Sequence, residues 1–135
     1  MNKIKNLSLV LLCIDYRFWP QALPILKEKY GDFDLIEIAG SSKNLTSPLE
    51  EEDKITLIEN IGLSIKLHHP NKLILINHTD CGAYGGSKKF KSHNEEIEFH
   101  KKELINAKFI ISKKFPGLSI ETELFTLNGD KVQLV

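Results

Sequence analysis

Cysteine occurs twice in these 135 residues, methionine and tryptophan once each, and tyrosine three times. Two cysteines cannot build a disulfide framework, so the fold must rest on a buried apolar core, and a chain of this length can bury one. Neither sign of charge dominates: Lys plus Arg and Asp plus Glu each total 18. That balance gives no electrostatic footprint for nucleic acid or a membrane surface, and neither partner is expected. No run approaches the roughly twenty apolar residues that span a bilayer. The start "MNKIKNLSLVLLCIDYR" has basic residues before an apolar stretch, as a signal peptide does. However, Asp15 and Arg17 stand where a small-residue cleavage site belongs. The segment reads instead as a first strand, and the chain as a cytoplasmic protein whose thiols are free or metal-bound. With no internal repeat, low-complexity tract or linker, residues 1–135 are expected to form one domain.

What is present is an alternation of apolar runs and helical patterns. Residues 7–13 are apolar apart from Ser8, as expected of a strand covered on both faces. "FWPQALPILKEKY" predicts a short helix, irregular near Pro24. A second strand is expected over residues 33–38, ended by Gly40. Ser47-Pro48-Leu49-Glu50 predicts a helix start, with Ser47 as cap, Pro48 in the first helical position and Glu50 completing the reciprocal pair. Apolar spacing carries that helix through residues 55–67 to "HHP", where His68 and His69 suit the negative end of the helix dipole. "KLILIN" is a third strand, followed by the glycine-rich "HTDCGAYGG" and a helix over residues 94–114. His93 and His100 are expected to face solvent there. "LSIETELFTLNGDKVQLV" reads as two strands turning at Asn128-Gly129. The order β-α-β-α-β-α-β-β predicts an α/β fold with a mainly parallel sheet and an antiparallel edge.

Both cysteines directly follow apolar runs. Ligands in such sheets bind outside the carboxyl ends of the strands, where the strand order reverses. If the sheet runs 2-1-3, Cys13 after the first strand and His78 and Cys81 after the third converge on one point. Two thiolates and an imidazole fit three corners of a tetrahedral zinc site and leave the fourth open for water or substrate. In an extended segment residues 13, 15 and 17 point to one side. Arg17 would then hold Asp15 as a bidentate ion pair beside the metal. Asp15 could orient a zinc-bound hydroxide or take the fourth position itself.

"CIDYR" and "HTDCG" together resemble the Cys-x-Asp-x-Arg and His-x-x-Cys motifs of the β-class carbonic anhydrases, with "HTDCG" most similar to the short prokaryotic-type members. "IEIAGSS" looks like that family's Asn-Ala-Gly segment, and the closing strands align in order. The resemblance covers the chain from about Leu7. It implies a three-layer α/β fold with strand order 2-1-3-4 and an antiparallel edge. It also implies reversible hydration of carbon dioxide to bicarbonate by a hydroxide on zinc, one Zn2+ per chain, in a homodimer or higher homo-oligomer. By this carry-over Cys13, His78 and Cys81 bind zinc, Asp15 and Arg17 form the orienting pair, and Gly40 and Gly82 line the substrate pocket.

Several features depart from the pattern: Glu37 and Ile38 stand where many members have Arg and Asn, Tyr16 replaces a typically small residue, and "AYGGSKKFKSHNEE" differs from the usual continuation after Cys-Gly. Related enzymes hydrolyse carbon disulfide or carbonyl sulfide, so another small linear substrate is one alternative. A non-catalytic zinc- or anion-binding protein is a second. A Cys81 nucleophile with His78 as its base is a third, without the Cys-x5-Arg spacing of cysteine phosphatases because position 87 is Ser. His93 would serve as a proton shuttle only if its loop folded over the site.

Overall fold

A computed structural model describes residues 6–135; the basic start, residues 1–5, lies outside the described residues. Among the described residues the order is β1 (Leu7–Leu12), α1 (Trp19–Tyr30), β2 (Asp32–Glu37), α2 (Lys43–Thr46), α3 (Glu51–His68), β3 (Lys72–His78), α4 (His93–Lys114), β4 (Ser119–Asn128) and β5 (Lys131–Leu134). The sheet runs β2-β1-β3-β4-β5. β1 pairs in parallel with β2 and β3, β3 in parallel with β4, and β4 antiparallel with β5. This is the α/β architecture with an antiparallel edge that the sequence pattern predicts.

The continuous apolar runs become central strands because helices cover both sheet faces. Val10, Leu12, Ile74 and Ile76 pack with Phe18, Ala22 and Leu26 on the α1 side. Leu9, Leu11, Leu73 and Leu75 pack against Leu57 and Ile61 of α3 and against Leu104 and Ile111 of α4. All eight of these strand side chains are fully buried. Each such burial contributes about 1.5–3 kcal/mol, which makes β1 and β3 the rigid base of whatever stands at their ends. No helix among the described residues is long and apolar enough to cross a membrane.

Local details differ from expectation, each for a physical reason. α1 runs unbroken through Pro24, one lost backbone bond being tolerated where Ala22 and Leu26 anchor the helix to the sheet. Ser47 does not cap α3, because it is still closing α2, its N–H donating to the Lys43 carbonyl. The cap falls on Glu50, whose N–H is accepted by the Asp53 carboxylate at 3.2 Å. The hairpin turn is Gly129-Asp130, since Asn128 pairs with Lys131. The positive φ of 66° then falls on the first central residue, which favours glycine. His100 is fully buried, not solvent-facing. It lies on the stripe Ile97, Leu104, Ala107 and Ile111 of α4, at the three- and four-residue spacing that points one helix face inward.

Candidate metal centre

The strand order reverses beside β1: the chain passes from β1 to β2 on one side, then returns to place β3 on the other. The carboxyl ends of β1 and β3 therefore border one crevice. Cys13 directly follows β1, His78 ends β3, and Cys81 lies three residues further, all three buried. One ligand atom from each lies within 4.8 Å of the others, so the trio could hold a metal ion. Their topological convergence is what the motif spacing predicts.

The donor chemistry fits zinc. The two sulfurs are 3.9 Å apart, and two corners of a tetrahedron with metal–sulfur bonds of about 2.3 Å are separated by about 3.8 Å. His78 Nδ1 lies 2.7 Å from the Thr79 carbonyl oxygen. That oxygen can only accept, so Nδ1 carries the proton and Nε2 presents its lone pair. Nε2 is buried with no hydrogen-bond partner. Phe18 stacks on the imidazole with centroids 4.4 Å apart and fixes its plane.

The pair of thiols is electrostatically uneven. The Cys81 thiol donates towards Cys13 and, with support from the Gly40 N–H, draws the Cys13 thiol down despite its burial. The resulting charge, together with burial, pushes the Cys81 thiol up. A bound cation would relieve that repulsion and hold both as thiolates. The Gly40 N–H points at Cys13 Sγ from 3.5 Å. Gly40 has φ +82°, and a Cβ there would meet Ala83 Cβ at 3.0 Å. Glycine is what lets this backbone approach the sulfur.

Asp15 and Arg17 are paired, but not on an extended segment. β1 ends at Leu12 and the chain turns, with the N–H groups of Phe18 and Trp19 both donating to the Asp15 carbonyl. The Arg17 N–H folds back onto Asp15 Oδ1 at 2.9 Å, an Asx turn. Its Nε donates to Oδ1 at 3.1 Å and Nη2 to Oδ2 at 2.7 Å. This guanidinium fork holds the Asp15 carboxyl below the usual carboxylate range despite desolvation. Asp15 Oδ2 lies 3.9 Å from His78 Nε2, on the side of the ligand trio. Arg17 is also gripped from behind. Nη1 donates to Asp80 Oδ2 and Nη2 to the Asp80 carbonyl, both at 3.0 Å.

A cavity of about 420 Å³ opens onto these groups, lined by Cys13, Asp15, Arg17, Ala39, Cys81 and Gly82 among others. Gly82 thus borders it, while buried Gly40 acts through its N–H on Cys13. Tyr16 stands at the mouth, 80% exposed. Glu37 ends β2 with a buried oxygen lacking a partner, and desolvation followed by the nearby Cys13 sulfur raises its pKa. Exposed His93 lines a different cavity, with Thr126, Asn128 and Gln133. His68 closes α3 and bonds Asp34, and His69 caps it. Neither Asp80 nor Glu96 is among the residues that the sequence pattern singles out. Asp80 sits inside "HTDCG" and could have been singled out there. Glu96 reads as an ordinary acidic residue near a helix start.

Comparison with known proteins agrees with this architecture. The sequence family described as "Putative carbonic anhydrase" matches residues 3–125. An uncharacterized protein of Rickettsia bellii (strain RML369-C) is 28% identical over 127 residues, covering 90% of this chain and 77% of the relative. The uncharacterized protein RC0076 of Rickettsia conorii is 27% identical, over 90% of this chain and 68% of its own. Among solved structures, a carbonic anhydrase from Streptococcus mutans superposes with TM-score 0.62 at 14% identity, covering 95% of this chain and 80% of that one. Tetrameric β-carbonic anhydrases from Sordaria macrospora give 0.62 at 13% identity, over 95% and 79%. At these identities the structural likeness establishes the fold.

Proposed function

Since the chain belongs to this carbonic anhydrase family, we propose that it catalyses the reversible, zinc-dependent hydration of carbon dioxide to bicarbonate. The observation that carries the reading is the meeting of Cys13, His78 and Cys81, with one ligand atom from each within 4.8 Å of the others and the Asp15–Arg17 pair beside them. In this reading Cys13, His78 and Cys81 hold one Zn2+ per chain. When bound, the ion would supply Lewis acidity that makes hydroxide available near neutral pH.

The roles of the surrounding residues follow from their chemistry. Thr79 fixes the His78 tautomer through its carbonyl, and the Gly40 N–H draws charge from the Cys13 sulfur. Arg17 keeps Asp15 ionised, so Asp15 is a standing hydrogen-bond acceptor and a poor store for protons. It therefore orients the attacking water, and the proton released with bicarbonate leaves for solvent through the cavity mouth. Gly82 places backbone without a side chain beside the substrate. We assign the protein to the cytoplasm, where thiols stay reduced, and to a homo-oligomer; the Sordaria macrospora neighbours are tetrameric.

Elemental analysis of the purified protein, paired with stopped-flow hydration near pH 7 and pH 9, tests the reading. Zinc at one per chain with turnover is expected, abolished in Cys81→Ser and reduced about a hundredfold in Asp15→Asn. Stoichiometric zinc with no turnover at either pH would reject catalysis and favour a binding role.

A further inference from the structure

The Asp15–Arg17 pair is held by a structure that extends away from the ligands. Asp80 has φ +55°, a left-handed conformation costly for a residue other than glycine. The strain is offset from three sides. Arg17 binds the Asp80 carboxylate and carbonyl, and the Ser87 N–H donates to Asp80 Oδ1 at 2.9 Å. The third hold is Glu96: its Oε2 accepts the Asp80 N–H at 2.6 Å and its Oε1 accepts the Ser87 hydroxyl at 2.7 Å. Glu96 lies in the first turn of α4 and is 2% exposed.

One buried carboxyl thus pins both ends of the segment from Asp80 to Ser87, which carries Cys81 and Gly82. A third donor faces it. The Asn77 amide lies 3.0 Å from His100 Nδ1 and donates to it, which leaves the His100 proton on Nε2, 3.9 Å from Glu96 Oε2. Burial lowers the His100 pKa to about 4, so the ring stays neutral and its orientation fixed. His100 Nε2 makes no hydrogen bond at that distance, so the bonds by which Glu96 holds the turn are those from the Asp80 N–H and the Ser87 hydroxyl.

From this geometry we infer that Glu96 is a positioning residue for the orienting pair: it locks the Asp80 turn, Asp80 locks Arg17, and Arg17 aims Asp15 at the ligand trio. The inference rests on the role proposed for Asp15 and Arg17. It also predicts which substitution preserves the site. In Glu96→Gln the side-chain carbonyl would still accept the Asp80 N–H, and the amide could donate to Ser87 Oγ. A positioning role is therefore kept by glutamine and lost with an apolar isostere.

Arg17 is the only arginine in the sequence, so its side-chain 15N signals are unambiguous. The experiment measures rotation about the Arg17 Nε–Cζ bond by NMR in the purified protein. Glu96→Leu, Glu96→Gln and Ile111→Ala are compared, the last a cavity variant on the same helix remote from the turn. Loss of one charge-assisted hydrogen bond should accelerate rotation at least about tenfold in Glu96→Leu. Glu96→Gln and Ile111→Ala should stay within about twofold of wild type by the same reckoning. If Glu96→Leu does not fold, Glu96→Asp, one methylene too short to reach Asp80, is read in the same way. Unchanged rotation in folded Glu96→Leu, or equal acceleration in Ile111→Ala, would overturn the inference. In parallel, carbon dioxide hydration should fall about tenfold in kcat in Glu96→Leu and recover in Glu96→Gln. A wild-type protein that hydrates no carbon dioxide sinks the proposed reaction, and the Arg17 measurement still decides the role of Glu96.

Discussion

Cys13 Sγ and Cys81 Sγ stand 3.9 Å apart although 68 residues separate them in the chain. Two sulfurs at that spacing, one thiol pulled down and the other pushed up, form a pair whose electrostatic conflict a divalent cation resolves.

Metal loading should therefore stabilise the fold. Zinc at a hundred times its Kd contributes about 2.7 kcal/mol, or about 10 °C in Tm for a chain of this size. Differential scanning calorimetry before and after chelation reads this directly, and Cys81→Ser should remove the difference. An identical Tm with and without zinc would contradict a site built from this trio.

Gly40→Ala and Gly82→Ala should behave in opposite ways. A Cβ at Gly40 meets Ala83 at 3.0 Å and Lys43 at 3.3 Å on a backbone of φ +82°, whereas at Gly82 it meets nothing within 4 Å. Urea denaturation should show Gly40→Ala losing about 1–3 kcal/mol. Gly82→Ala should leave the midpoint near wild type, so that any defect shows in turnover alone. Equal midpoints for the two variants would contradict the packing described.

Acid should weaken the protein in part through Asp15. Its folded-state pKa is depressed by Arg17, so its contribution is fully present above the ordinary carboxyl range and is lost as pH falls through and below that range. Urea midpoints between pH 3 and pH 6 should fall less steeply in Asp15→Asn than in wild type. Parallel curves would show that the pair adds nothing to stability.

His100 sets a second window at higher pH. Its folded-state pKa of about 4 lies below the ordinary 6.5, so the unfolded chain takes up a proton that the folded one refuses. Stability is unaffected above about pH 6.5 and declines between there and pH 4. The part of that decline due to His100 should be absent in His100→Asn, leaving the shallower loss that comes from the depressed carboxylates, whatever the variant's absolute stability. Proton uptake on unfolding at pH 5.5, measured by calorimetry in two buffers of different ionisation enthalpy, gives an independent check.

The sequence by itself determined the framework and the candidate ligands. Unbroken apolar runs can be satisfied only in strands covered on both faces, which fixed β1 and β3. Two cysteines and a histidine placed just after those strands had to meet if the strands were neighbours. The burial of His100 was also within reach of helical periodicity, because it shares the stripe of Ile97, Leu104 and Ile111.

The tertiary structure decided everything that joins one loop to another. Whether Arg17 faces Asp80 across 63 residues, or the Glu96 carboxyl reaches the Asp80 N–H, depends on how the chain turns after β1 and on where α4 docks. Periodicity carries no information about either. A short acidic or polar residue near a helix start looks the same in sequence whether it faces water or pins a strained turn. The same holds for Ser47, which reads as a helix cap until α2, unseen in the pattern, takes it as its own terminus. Local chemistry fixes which groups can bond, and only the packing of separate elements fixes which of them are close enough to do so.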